Sequence, residues 1–192
     1  MNRKKDPKKT SFYDTIIDIR RVVKVVKGGR IFSFSVLAII GNKKGSYGIG
    51  KGKALDITQA KKKAISMARN NVIKINLRAG RTLHHTVTGK FGASKVILRP
   101  SQPGTGVVAG GAVRALLESI GVQDVVTKII GSANPHTTLL ATAEALSQTQ
   151  SLRSIALLRS KSIKDIVANI RQRKSYDGND ISENKEDESV TA

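Results

Sequence analysis

Few residues in this sequence have a type and spacing suited to chemistry, and most of those lack partners. Gly104-Thr105-Gly106-Val107-Val108-Ala109 matches the G-x-G-x-x-A pattern of a dinucleotide-binding turn, with Asp124 further on as a candidate ribose-binding acid. The match fails on position. Such an acid closes the second strand of its unit, whereas Asp124 opens the strand-like run Val122 to Ile130, and no third and fourth strand–helix units follow to build a doubly wound sheet. Pro100 and Pro103 also lengthen the turn, so a tight, close-packed backbone passage is the expected use of these glycines. Gly45, Gly48, Gly50 and Gly52 lack the Lys-Ser/Thr ending of a P-loop and predict close approach to another backbone, protein or phosphate. His84 and His85, adjacent on a predicted strand, point to opposite faces and cannot chelate one ion together. His136 stands apart, and there is no cysteine. Acids outside the C-terminal tail show no catalytic pairing, and no serine or threonine sits in a nucleophile elbow. The expectation is no catalytic residue, no metal, no cofactor and no small-molecule substrate.

Charge points elsewhere. The 192 residues hold 34 lysines and arginines against 14 acids, a net charge of +20. The charge is uneven: six of the acids lie after Tyr176, while residues 1 to 99 alone carry 24 bases and 4 acids. Self-repulsion of that size calls for a polyanion, and nucleic acid is the first expectation. A membrane surface is the rival, but the longest apolar run, Val36 to Ile40, is far too short to span one. The basic start, Met1 to Lys9, leads into no signal-peptide core, which predicts a reducing, cytosol-like compartment: the cytoplasm, with the interior of an organelle as the alternative. That start reads either as a disordered tail or as an RNA-contacting arm.

The elements that must position these charges follow from periodicity. Asp14 to Lys27 and Arg30 to Ile40 predict strands around a Gly28-Gly29 hairpin turn. On the second, Phe32, Phe34, Val36, Ala38 and Ile40 share a core face opposite Ser33 and Ser35, a half-buried pattern. A lysine-tipped turn, 41–45, leads to a third strand, Ser46 to Lys51. A helix capped by Asp56 then runs through Asn76, with Ile57, Ala60, Ala64, Met67 or Ala68, Val72 and Ile75 inward. Beyond a junction at Arg78 to Arg81, a hairpin (Leu83–Thr88, Ala93–Arg99), a helix Gly110–Ile120, the strand Val122–Ile130 and a helix from Asn134-Pro135 are expected. A last helix is capped by Ser162 and Asp165 and uses Ile163, Ile166, Val167 and Ile170. Residues 100 to 174 carry only 9 bases and 4 acids and read as a packing domain.

The candidate RNA-binding residues are Arg20, Arg21, Lys24, Lys27, Gly28, Gly29 and Arg30 around the first turn, and Lys43 and Lys44 at the second. Lys51, Lys53, Lys61, Lys62 and Lys63 follow. With the strands paired in order, both turns and the start of the helix form one basic rim that tracks phosphates and reads shape rather than sequence. The lysine run in the helix reads alternatively as a solvated face.

Val26-Lys27-Gly28-Gly29-Arg30-Ile31-Phe32-Ser33-Phe34 and Gly48-Ile49-Gly50-Lys51-Gly52-Lys53-Ala54 closely resemble the bacterial-type fifth protein family of the small ribosomal subunit. So do Gly104-Thr105-Gly106-Val107-Val108-Ala109-Gly110-Gly111-Ala112 with Arg114, and Gly131-Ser132-Ala133-Asn134-Pro135. The resemblance spans about residues 14 to 170. It implies an α+β chain: a double-stranded-RNA-binding-like domain over 14–78, then a two-layer α/β domain over 82–174. The second is built hairpin-α-β-α with a left-handed crossover. A basic arm (1–13) and an acidic tail (175–192) flank them and fall outside the shared region. The resemblance further implies a non-enzymatic structural constituent that binds small-subunit ribosomal RNA near the head–body junction, supports assembly and affects translational accuracy. It places the Lys27–Arg30 loop near the spectinomycin site, and Gly104, Gly106 and Arg114 at a border with the fourth small-subunit protein. The eighth is a further neighbour. An exchanging RNA-processing factor and a nucleotide-dependent enzyme are the alternatives.

Overall fold

Phe32-Ser33-Phe34-Ser35 alternates between apolar and polar, and Val36-Leu37-Ala38-Ile39-Ile40 does not. The change marks where one strand passes from partly solvated to buried on both faces. The computed structural model describes residues 12–163 and 166. In it this strand, β2 (Gly29–Gly41), pairs with β1 (Tyr13–Val26) and β3 (Ser46–Ala54), and β3 pairs with a short β4 (Val72–Lys74), all antiparallel. Val36 and Ala38 pack with alanines of helix α1 (Ile57–Asn70), while Leu37 and Ile39 enter a larger cluster on the other face. The expected half-buried alternation does not appear: burial grades along the strand, from exposed at Gly29–Phe32 to buried on both faces from Val36.

Contact between α1 and β3 is made almost without side chains. A Cβ built on Gly52, Gly50 or Gly48 would stand 2.2, 2.1 and 2.2 Å from the carbonyl oxygens of Ala60, Ala64 and Ala68 respectively. Two residues of strand advance roughly 6.7 Å and four residues of helix roughly 6.0 Å, so the two series stay in step while running in opposite directions. The backbone that these glycines approach is the helix's own. Only the alanines of the expected inward set are buried on α1; Met67 and Ile57 are exposed. The helix also stops at Asn70 rather than Asn76, because Val72–Lys74 leaves to pair with β3. Asp56 stands at the N-cap position without a side-chain capping bond.

The second sheet has the order β5-β6-β8-β7, from β5 (Val87–Phe91), β6 (Ser94–Pro100), β7 (Val107–Val108) and β8 (Val125–Gly131). β7 and β8 are parallel, with helix α2 (Gly111–Ile120) between them, and the other pairs are antiparallel. Helix α3 (Pro135–Ser147) is capped by Asn134, whose side chain accepts from the His136 amide, and it rests on β5 at Gly89. The two residues of β7 carry no strand signal in the sequence, and Leu83 to Thr86 lie outside any strand. Val113, Leu116, Leu117 and Ile120 of α2 share one buried cluster with Leu37, Ile39 and Tyr47 of the first sheet and Val96, Leu98 and Val125 of the second. The described residues from Gln150 belong to a unit separate from Met1–Thr149 and hold a helix α4 (Leu152–Leu158), capped by Ser151, that periodicity does not suggest. Most of the helix expected after Ser162, and most of both terminal segments, lie outside the described residues.

Inserting a methyl between two backbones forces the layers apart, a cost of about 1–3 kcal/mol or more. Gly50→Ala is expected to lower the melting temperature by roughly 3–10 °C. Gly28→Ala, whose Cβ meets nothing within 4 Å, is expected to leave it unchanged; thermal melts of both variants check this.

Candidate nucleic-acid interface

Past Arg20 on β1 and before Ser33 on β2, nearly every residue is exposed, although pairing continues to Val26 and Gly29. The result is a two-stranded arm, roughly 20 Å long, with no helix on either face. Lys27 and Gly28 form its tip, and Gly29 has φ +142°, a backbone state that side-chain-bearing residues rarely adopt. Register fixes where its cations point. Arg20 and Lys24 lie opposite Ser35 and Ile31 on the face away from α1, whereas Arg21 and Arg30, opposite Phe34 and Val25, lie on the other. Apolar groups sit among them: Val23, Val25, Ile31 and Phe32 are all exposed. The Arg21 guanidinium lies 4.0 Å above the Phe32 ring, so Phe32 belongs to the arm's surface and not to the core; Phe34 alone packs inward. Arg20 also pairs with Asp18 at 2.5 Å.

Lys51 and Lys53, opposite Leu37 and Ser35, share the face of Arg20 and Lys24. Lys61, Lys62 and Lys63 ride on α1, which covers the opposite face, with Lys62 and Lys63 exposed and Lys61 partly buried. The Lys43-Lys44 turn is elsewhere. Successive turns of an antiparallel meander fall at opposite ends of the shared strand, and β2, at 13 residues, puts about 40 Å between them. The single rim expected from the sequence does not exist.

The second turn has a structural task instead. The Lys43 amide donates to the Ser119 carbonyl at 3.0 Å and the Gly45 amide to the Ile120 carbonyl at 2.8 Å, while Gly121 and Val122 amides serve Leu117 and Glu118. All four terminal carbonyls of α2 are thereby satisfied, two of them from the other sheet. A lysine at a helix C-terminus also suits the macrodipole, and the Lys43 ammonium lies 5.0 Å from the Tyr13 ring. The Lys44 amide donates to the Asn42 side chain.

The glycine loop before α2 binds an anion supplied by the chain itself. Gly104 and Gly106 amides donate to Asp124 Oδ1 at 2.9 and 3.2 Å, and Arg81 reaches Asp124 Oδ2 at 2.9 Å. Donors that a nucleotide phosphate would need are thus already committed. Burial opposes the charge on Asp124, but the Gly106 and Gly104 amides and the Arg81 guanidinium outweigh it and hold the carboxyl below its ordinary value. The sequence alone does not reveal this clasp, although it singles out Asp124 for another reason. Arg114 pairs with Glu118 at 3.2 Å on the surface of α2, one helical turn away. His84 and His85 lie on a bend rather than a strand. His136 has its pKa lowered by burial and then by the charge of Lys51. Among the described residues no three metal-ligating side chains gather, and no helix is long and apolar enough to cross a membrane.

Residues 12–76 match the family model for the N-terminal domain of ribosomal protein S5, and residues 89–159 match that for its C-terminal domain. The chain belongs to the ribosomal protein S5 family. Small ribosomal subunit protein uS5 of Ehrlichia canis is 51% identical over 158 residues, covering 82% of this chain and 91% of the relative. Its namesake in Paramagnetospirillum magneticum is 47% identical over 163 residues, 85% of this chain and 78% of the relative. S5 is a family of ribosomal proteins and not of enzymes, in keeping with a glycine loop whose amides are already occupied.

A carboxyl held below its ordinary value adds stability above the unfolded-state pKa of about 3.9, and that part is lost as pH falls through the folded value. Asp124→Asn is expected to melt below the parent at about pH 7, with the gap narrowing only once pH falls below about 3.9. Thermal melts of both proteins across that range check it.

Proposed function

We propose that this S5 chain is a structural, RNA-binding component of the small ribosomal subunit in the bacterial cytoplasm, and that the β1–β2 arm is its principal grip on ribosomal RNA. One observation carries the reading: the arm is exposed on both faces and bears Arg20, Arg21, Lys24, Lys27 and Arg30 on its faces and tip. Cations on both sides of a narrow ribbon suit insertion between phosphate backbones, where counterion release drives binding. Lys51 and Lys53 extend the strip from Arg20 along the sheet, and the α1 lysines add a second contact on the opposite layer. The exposed apolar residues of the arm give it surface to bury against ribose and base edges. Shape and backbone are read in preference to sequence.

The family resemblance supports a finer placement. The arm meets RNA near the junction of head and body, close to the spectinomycin site. The Gly104–Gly106 loop and Arg114 border the fourth small-subunit protein, through which the chain contributes to decoding accuracy and assembly. The eighth protein is its other neighbour.

Arg30→Ala is expected to weaken binding to a small-subunit ribosomal RNA transcript and to lower the slope of log affinity against log salt by roughly one unit. An unchanged slope would remove the arm from the interface. Gly29→Val, which cannot hold φ +142° without strain of about 1–3 kcal/mol, is expected to cut incorporation into assembled subunits while lowering the melting temperature by less than that figure implies, because a bare tip relieves strain by opening locally. Normal incorporation would show that the tip geometry does not matter.

A further inference from the structure

The helices α2 and α3 cover one face of the second sheet, to which Val87, Val96, Leu98 and Val125 point. Pairing across β5, β6 and β8 fixes what the opposite face displays. One row is Lys90, Lys95 and Ile130; the next is Thr88, Ile97 and Lys128; the third, reaching β7, is Arg99, Val126 and Val108. Lys90, Lys95, Arg99 and Lys128 are all exposed. None of the four makes an ion pair among the described residues, and no acid stands in any of the three rows.

The arrangement works against the fold. Lys90 and Lys95 are directly opposed, and like charges in that position destabilise a hairpin. A local choice that conflicts with stability, repeated by two further cations on the same face, marks a surface shaped by a ligand. That ligand must be anionic and extended, because the cations span three rows spaced roughly 6.7 Å apart along the strands. The face carries no aromatic residue, which removes base stacking as a mode of binding. What remains is phosphate and ribose, with Ile97, Val126 and Ile130 as apolar floor between the cations.

We infer that the open face of the second sheet is a second RNA-binding surface, which lies on the backbone of a helical ribosomal RNA segment. The inference rests on the RNA-binding reading above but uses none of the residues assigned to the arm. It also revises the role of this half, whose modest net charge suggests packing alone. The count over residues 100 to 174 leaves out Lys90, Lys95 and Arg99, which belong to this sheet, and the acids Glu118, Asp124 and Glu144 lie off this face, on the helices or within the glycine clasp.

The test compares the full chain with two variants, each titrated with a small-subunit ribosomal RNA transcript over a range of salt. One variant carries Lys90→Gln, Lys95→Gln, Arg99→Gln and Lys128→Gln; the other carries Lys24→Gln, Lys27→Gln and Arg30→Gln. Each is expected to lower the salt slope by roughly one unit for every phosphate that is no longer neutralised, so by up to about four units for the sheet variant and about three for the arm variant. A sheet variant with the parent's slope beside an altered arm variant would overturn this inference and leave the arm standing. If the arm variant alone kept the parent's slope, the reading of the arm would fall and the sheet would remain. A sheet variant with an unchanged slope that is nonetheless absent from assembled subunits would overturn the inference in favour of an acidic protein neighbour. Lys90→Gln alone, without RNA, is expected to melt at or above the parent's temperature. A clear drop would show that the opposed lysines serve the fold and would overturn the inference as well.

Discussion

Everything in the larger unit is held in relation by one small docking event: the β2–β3 turn against the end of α2. A helix terminus leaves carbonyls without partners, and burying them unpaired is expensive. Here Ser119 and Ile120 receive amides from Lys43 and Gly45, so neither half satisfies its own backbone without the other. Space enforces the same union. A Cβ on Gly41 would lie 2.0 Å from the Ser119 carbonyl oxygen, so the sheet can approach that closely only where no side chain intervenes. The shared cluster around α2 supplies the apolar area, and the turn supplies the register.

This joint explains why the arm can be bare. A two-stranded ribbon is marginal in water on its own. Its root, however, is the part of β2 whose two faces are buried, by α1 on one side and by the α2 cluster on the other. Rigidity at the root is transmitted along two strands whose register is pinned by that burial. The chain can therefore extend charge and apolar surface into solvent without a core of its own beneath them.

Much of this is legible in the sequence. The Gly28-Gly29 turn, the run of α2 from its glycines to Gly121, the Asn134-Pro135 helix start and the order of the first three strands follow from local chemistry. What stays hidden depends on contacts distant in sequence. Val72 to Lys74 continues an apolar helical period, and only the open edge of β3 draws it into a strand. Phe32 shares a strand face with Val36, yet lies beyond the reach of α1, so periodicity gives it the right face and the wrong depth. Lysines close in sequence read as close in space, although strand direction parts Lys27 from Lys43 by the length of β2. The Asp124 clasp and the basic rows of the second sheet need pairing register, which no single segment contains.

The glycine–alanine contact between β3 and α1 has a consequence for shape. An ordinary helix-on-sheet layer is kept apart by interleaved side chains; here peptide rests on peptide at Gly48, Gly50 and Gly52. The layer formed by α1 and β3 is accordingly thin, with Lys51 and Lys53 on the sheet side and the α1 lysines on the helix side. A side chain added at any of these three glycines would thicken that layer and carry the α1 lysines outward from the strand they now lie against.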